Sequence, residues 1–252
     1  MMFPAKVKIV RDIPFTLNKN DVLRGLGMGS SLTVRPEIDR LIDKTLQDEA
    51  VLKLIRPACV YAVHNVRQME PDHCCLEGGV VLHGEIIPRV FAQAEALAVA
   101  VATIGPELEI AVRECFQQGK RLYGLILDAI GTSTAENMIF AIHDIINREA
   151  VSGGLTASSP VCPGGANWPI TEQFKLFKLV PADEIGVHLT DTAMMAPGKS
   201  TSMVMGLGDN MPKWSAAERC NRCSNGGNCP YRYHPEQAYG TPNTDEAACH
   251  SI

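Results

Sequence analysis

Residues 123–150, YGLILDAIGTSTAENMIFAIHDIINREA, read as one long apolar helix. A helix this apolar has to be covered by the rest of the chain. Gly131 and the Thr-Ser-Thr run behind it interrupt the period, so a kink or a split is expected there. The chain has the material to do the covering, with 252 residues of which 46% are apolar and 20% charged. That is enough for one large or two small domains.

Several classes of protein are excluded by the same numbers. Disorder needs low hydropathy with high net charge, and this chain has neither. No short repeat of the collagen or coiled-coil kind is present. A net charge of −5 lacks the basic footprint of a nucleic-acid binder. The stretch 92–104 is the most apolar, but Gln93 and Glu95 interrupt it and it is too short to span a bilayer. The opening MMFPAKVKIV has no h-region with a small-residue cleavage site, so no membrane association and a cytoplasmic location are expected.

Along the chain, KVKIV alternates as a half-buried strand does, and Asn20 is placed to cap a short helix, DVLRGLG. A helix starting at Pro36 runs to Pro57 on the spacing of Ile38, Leu41, Ile42, Leu46, Val51, Leu54 and Ile55. CVYAVHNV and VVLHGEII read as strands, residues 90–102 as a small-residue helix, and Pro106 opens another helix with Glu107 and Glu109 in its first turn. Beyond residue 150 lies a Gly-, Pro- and Ser-rich loop of functional length, then TEQFKLFKLV as a short helix capped by Thr171. IGVHLTDTAMMAPG and KSTSMVMGLG read as two strands around a Pro-Gly turn. Helices in the middle with strands towards both ends make an α+β protein.

Four segments carry a chemical signal. TIGPELE (103–109) taken alone is an ordinary helix start. Glu136, on an otherwise apolar helix, lies either on a solvated stripe or in position to hold a cation; the stripe is the commoner case, because Glu is rarely buried unpaired. PGGANWP (163–169) is a turn whose glycines let a ligand approach exposed main-chain N–H groups. MMAPGKSTS (194–202) is a hairpin beside a lysine.

In order, DVLRGLG, ATIGPELE, LILDAIGTSTAEN, PGGANWPITEQFKLFKLV, IGVHLTD and MMAPGKSTS resemble one family over roughly residues 20–210. That family is the stand-alone relatives of the activation domain of cobalamin-dependent methionine synthase. The resemblance implies a helmet-shaped α+β fold around a twisted antiparallel sheet, spanning residues 1–210 and followed by a Cys-rich tail, 211–252. It also implies a function: reductive reactivation of a corrinoid methyltransferase, with S-adenosylmethionine as methyl donor to cob(I)alamin carried by the partner. A flavodoxin or ferredoxin would supply the electron. Glu136 matches the family's ligand-contacting glutamate, suited to the donor's ammonium or sulfonium, and Pro163, Gly164, Gly165 and Ala166 match its ligand-holding turn.

The family segment usually reads Arg-x-x-Pro-Gly-Tyr, and here Pro160 and Gly165 stand where its arginine and tyrosine would be. Loss of a bidentate arginine–carboxylate contact costs about 2 kcal/mol or more, roughly tenfold or beyond in affinity. The alternative expectation is therefore a docking or electron-relay module that keeps the fold without the methyl donor. The tail adds Cys220, Cys223 and Cys229 in a C-x2-C-x5-C run, expected to hold an iron–sulfur cluster or zinc, with His234, Cys249, His250 or Cys162 as fourth ligand. Cys59 and Cys115 sit in apolar runs and are expected to be core residues, and His73-Cys74-Cys75 to be structural.

Overall fold

The computed structural model describes residues 7–28, 34–165, 168–222 and 232. Its strands are β1 (Lys8–Arg11), β2 (Ala58–Met69), β3 (His73–Leu76), β4 (Val81–His83), β5 (Ala96–Thr103), β6 (Thr156–Ala157), β7 (His188–Leu189), β8 (Met195–Ala196) and β9 (Ser200–Gly208). Its helices are α1 (Lys19–Gly25), α2 (Pro36–Leu46), α3 (Glu49–Leu52), α4 (Ile86–Phe91), α5 (Glu107–Gln117), α6 (Arg121–Ser152), α7 (Gln173–Leu179) and α8 (Ala216–Arg222). A seven-stranded antiparallel sheet runs in the order β4-β3-β2-β5-β9-β6, with β1 on the edge of β2 beside β3. It curls around the helices as an α+β half-barrel, the fold class expected.

The central strand is β5, and here the sequence reading fails. Residues 90–102 were expected to form a helix; instead a short helix ends at Phe91 and Ala96–Thr103 pairs with β2 on one side and β9 on the other. Every residue of β5 is buried. Its two faces carry different side chains: Ala96, Ala98, Ala100 and Ala102 meet α6, whereas Leu97, Val99 and Val101 meet the layer of Trp168, Leu176 and Leu179. With apolar residues on both faces the alternation vanishes from the sequence, as it does in strands covered on both sides.

Helix α6 is continuous through Gly131 and the Thr-Ser-Thr run, without the expected split. Thr132, Ser133 and Thr134 each donate a hydroxyl to the carbonyl four residues back, at 3.1, 2.9 and 2.7 Å, so the polar run is satisfied within the helix. Gly131 is needed for packing, since a Cβ there would lie 2.9 Å from Leu108 Cδ2 and 3.3 Å from Lys199. By length and composition α6 could cross a membrane, but half of its most apolar window is buried in this protein's own core.

Smaller differences have local causes. The helix expected over 36–57 breaks after Leu46, and Asp48 caps the new turn by accepting from Ala50 N at 2.9 Å. Asn18, not Asn20, caps α1. The strand expected from VVLHGEII stops at His83, and Thr171 lies inside a 3-10 turn, Ile170–Glu172, instead of capping α7. The Pro-Gly turn does not join two strands of one hairpin: β8 pairs with β7, while β9 enters the main sheet beside β5. Packing continues past β9, where Met211 is buried and Trp214 N donates to Ser159 Oγ at 3.0 Å.

Cys59 and Cys74 are fully buried, and burial pushes both thiols up to about 12. Burial keeps both thiols protonated at pH 8 and out of reach of an alkylating agent. Brief iodoacetamide treatment of the native protein at pH 8, followed by mass spectrometry, should label the partly exposed Cys75 well before either neighbour. Labelling of Cys59 or Cys74 at the rate of Cys75 would contradict their burial.

Candidate functional site

Three of the segments singled out by sequence meet on one face of α6. Asp128, Thr132 and Glu136 recur every fourth residue and so share a stripe of the helix. Lys199, delivered by the loop between β8 and β9, reaches the first two: its Nζ lies 2.8 Å from Asp128 Oδ1 and donates to Thr132 Oγ1 at 2.8 Å. Its main-chain N–H donates to Glu109 Oε1, which ties the start of α5 to the same loop. Glu109 therefore does more than suit the helix dipole. An open cleft of about 370 Å³ lies here, lined by Glu109, Val112, Arg113, Asp128, Gly198 and Lys199.

The third stripe residue, Glu136, is met from the other side by α1. Arg24 Nη2 is 3.0 Å from Glu136 Oε2 and 3.3 Å from Asp21 Oδ1. Asp21 is held in turn by Asn137, whose Nδ2 donates to its second oxygen at 3.2 Å. Arg24 keeps only 15% of its side chain exposed, whereas Glu136 keeps 41%. Glu136 is thus a carboxylate on a half-open polar stripe rather than a buried one. Sequence reading singled out Lys199 only as a lysine beside the hairpin, and Arg24 not at all, because tertiary packing brings both cations to the stripe; the stripe's four-residue spacing was legible.

The Pro163–Gly165 part of the Gly-rich turn is built differently from the expectation. Gly164 N donates to Trp168 O at 2.8 Å and Gly165 N to Cys162 O at 3.1 Å, so both N–H groups are used within the turn rather than exposed. Gly164 has φ +87, a conformation that favours glycine. The turn is anchored by Trp168, which is buried and donates Nε1–H to His83 O at 2.8 Å. His83 belongs to a polar cluster below it: Lys175 Nζ is 2.6 Å from His83 Nδ1 and 2.7 Å from Glu172 Oε1, and His73 stacks on His83. Trp168 lies in the core layer on the face of β5 opposite α6. Pro160 is part-exposed at the start of this segment, and Ala166 lies outside the described residues.

Of the expected metal ligands, Cys220 is on α8 and partly exposed, and Cys223 and Cys229 lie outside the described residues. Among the described residues no group of three or more His, Cys, Asp or Glu side chains is placed to hold a metal ion.

No protein-family model and no curated protein matches the chain. Among solved structures the fold is represented. The crystal structure of the MetH reactivation domain bound to AdoHcy superposes with a TM-score of 0.60 at 14% identity, over 86% of this chain and 84% of that one. This chain has the fold of the MetH reactivation domain.

Proposed function

We propose that this protein serves corrinoid methyl transfer as a cytoplasmic reactivation partner, binding S-adenosylmethionine and presenting its methyl group to a cobalamin-carrying protein. The observation that carries the reading is the shared fold over most of the chain with a domain whose structure holds AdoHcy, the demethylated form of that donor. The charged stripe on α6 supports it. S-adenosylmethionine ends in an ammonium and a carboxylate, and Glu136 with Arg24 offers one charge of each sign. Of the turn Pro163, Gly164, Gly165 and Ala166, the first two would offer the ligand carbonyl groups, because the N–H groups of both glycines and the Gly165 carbonyl are already used.

In this reading one electron from a flavodoxin- or ferredoxin-like donor converts the partner's cob(II)alamin to cob(I)alamin. The reduced cobalt attacks the sulfonium methyl carbon, the carbon–sulfur bond breaks, and methylcobalamin and AdoHcy result. The protein contributes position, since the methyl must meet a cobalt that is nucleophilic only while reduced.

Anaerobic calorimetry with S-adenosylmethionine and AdoHcy tests this directly. Saturable binding is expected, and Glu136→Gln should weaken it about tenfold, the scale of a lost charged contact, with an unchanged melting curve. A specific observation favours a second reading: Pro160 replaces the family's arginine and the glycine turn is closed on itself. A module that docks on a corrinoid protein without the methyl donor would show no heat with either ligand.

A further inference from the structure

We propose that Arg24 is the carboxylate anchor of the ligand site, doing from α1 what Pro160 cannot do from the 160–165 segment; the inference rests on the reading that the site takes S-adenosylmethionine or AdoHcy. Both ligands end in an α-amino acid, with a carboxylate and an ammonium on one carbon. A site for that end needs a cation for the first and an anion for the second, a few ångströms apart. Arg24 with Glu136 and Asp21 is such an arrangement, with the guanidinium 3.0 and 3.3 Å from the two acids. A zwitterion can enter by exchange of partners: its carboxylate takes the guanidinium, and its ammonium takes the carboxylates that the guanidinium held.

Of the two cations beside the stripe, Arg24 suits the task better. A guanidinium presents its N–H groups as a planar fork that matches a carboxylate in two parallel hydrogen bonds, whereas an ammonium is a point charge. Lys199 is held by one carboxylate, Asp128, and by Thr132, both at 2.8 Å, whereas Arg24 stands between two carboxylates. The backbone beneath Arg24 is also fixed. Gly25, the next residue, packs so closely on α6 that an added Cβ would sit 3.2 Å from Ala129 Cβ and 3.3 Å from its carbonyl oxygen. Asn137 on α6 donates to Asp21 and to Thr16 O, which ties the first turn of α1 and the chain just before it to the same helix. The guanidinium is therefore presented from packed structure, with little of its side chain exposed, as a preorganised contact requires.

The experiment compares AdoHcy with 5′-methylthioadenosine, which carries the adenosine and sulfur but no amino-acid end. Wild type should bind AdoHcy at least tenfold more tightly than methylthioadenosine, and Arg24→Met should reduce that preference to near one by weakening AdoHcy alone. Adding Pro160→Arg to Arg24→Met, which returns a guanidinium to the family position, should restore several-fold of the AdoHcy affinity. Arg24→Lys keeps the charge and serves where Arg24→Met does not fold; it should lower AdoHcy affinity several-fold and leave methylthioadenosine unchanged. If Arg24→Met, or failing it Arg24→Lys, binds AdoHcy as wild type does, Arg24 is not the anchor, and the proposed ligand stands without it. A wild type that binds neither compound overturns both the anchor and the ligand.

Discussion

Trp168→Ala should destabilise the protein by about 3–5 kcal/mol, the range for truncating a large buried aromatic residue. The indole is 2% exposed and packs in the layer formed by Leu97, Val99, Leu176 and Leu179. It also donates to His83 O, a carbonyl at the end of β4 that loses this donor in the variant. Because domains are stable by about 5–15 kcal/mol, such a loss is a large share of the total. Urea unfolding followed by circular dichroism measures it. Trp168→Phe keeps most of the apolar volume and loses the N–H donor, so it should cost less, about 1–3 kcal/mol. A loss below about 1 kcal/mol in Trp168→Ala would mean that the indole is not the anchor of the 163–168 turn. The turn that sequence reading assigned to a ligand would then have no fixed base.

This residue also shows where sequence reading stops. PGGANWP was legible as a turn, but the burial of its tryptophan was not. Nothing local says that the indole crosses to His83, 85 positions earlier in the chain. The long helix was legible because its apolar run exceeds any strand; that it continues through its hydroxyl residues was not, because they bond within it. The stripe of Asp128, Thr132 and Glu136 was equally open to counting. That Arg24 and Lys199 meet it was not, since α1 and the β8–β9 loop are brought to α6 by tertiary packing. The resemblance supplied the fold through six ordered motifs, and the shared fold with the MetH reactivation domain agrees with it at 14% identity, a level at which few individual residues correspond. The thiols of Cys59 and Cys115 were legible as core residues from their apolar neighbours, and both are buried.

The largest misreading leads to the other strong expectation. Alanine-rich residues 96–102 suggested a helix because Ala favours one and because no polar residue marks a period of two. In β5 those alanines have a different reason: Ala96, Ala98, Ala100 and Ala102 all point at α6, and their small size lets that helix lie close to the sheet. Ala100 is fully buried, paired with Tyr61 on β2 and Met203 on β9. Leucine there adds three carbons to an interior with no room for them, and overpacking of this kind costs about 1–3 kcal/mol. Val99→Leu, on the opposite face, changes the volume by one methylene and should cost less. Because Glu136 rides on α6, a helix displaced by Ala100→Leu should also lose AdoHcy affinity, whereas Val99→Leu should spare it. Urea unfolding and calorimetry on the two variants measure both quantities. Equal stability for Ala100→Leu and wild type would show that the space between β5 and α6 is not filled by this row of alanines, and the position of α6 over the sheet would need another cause.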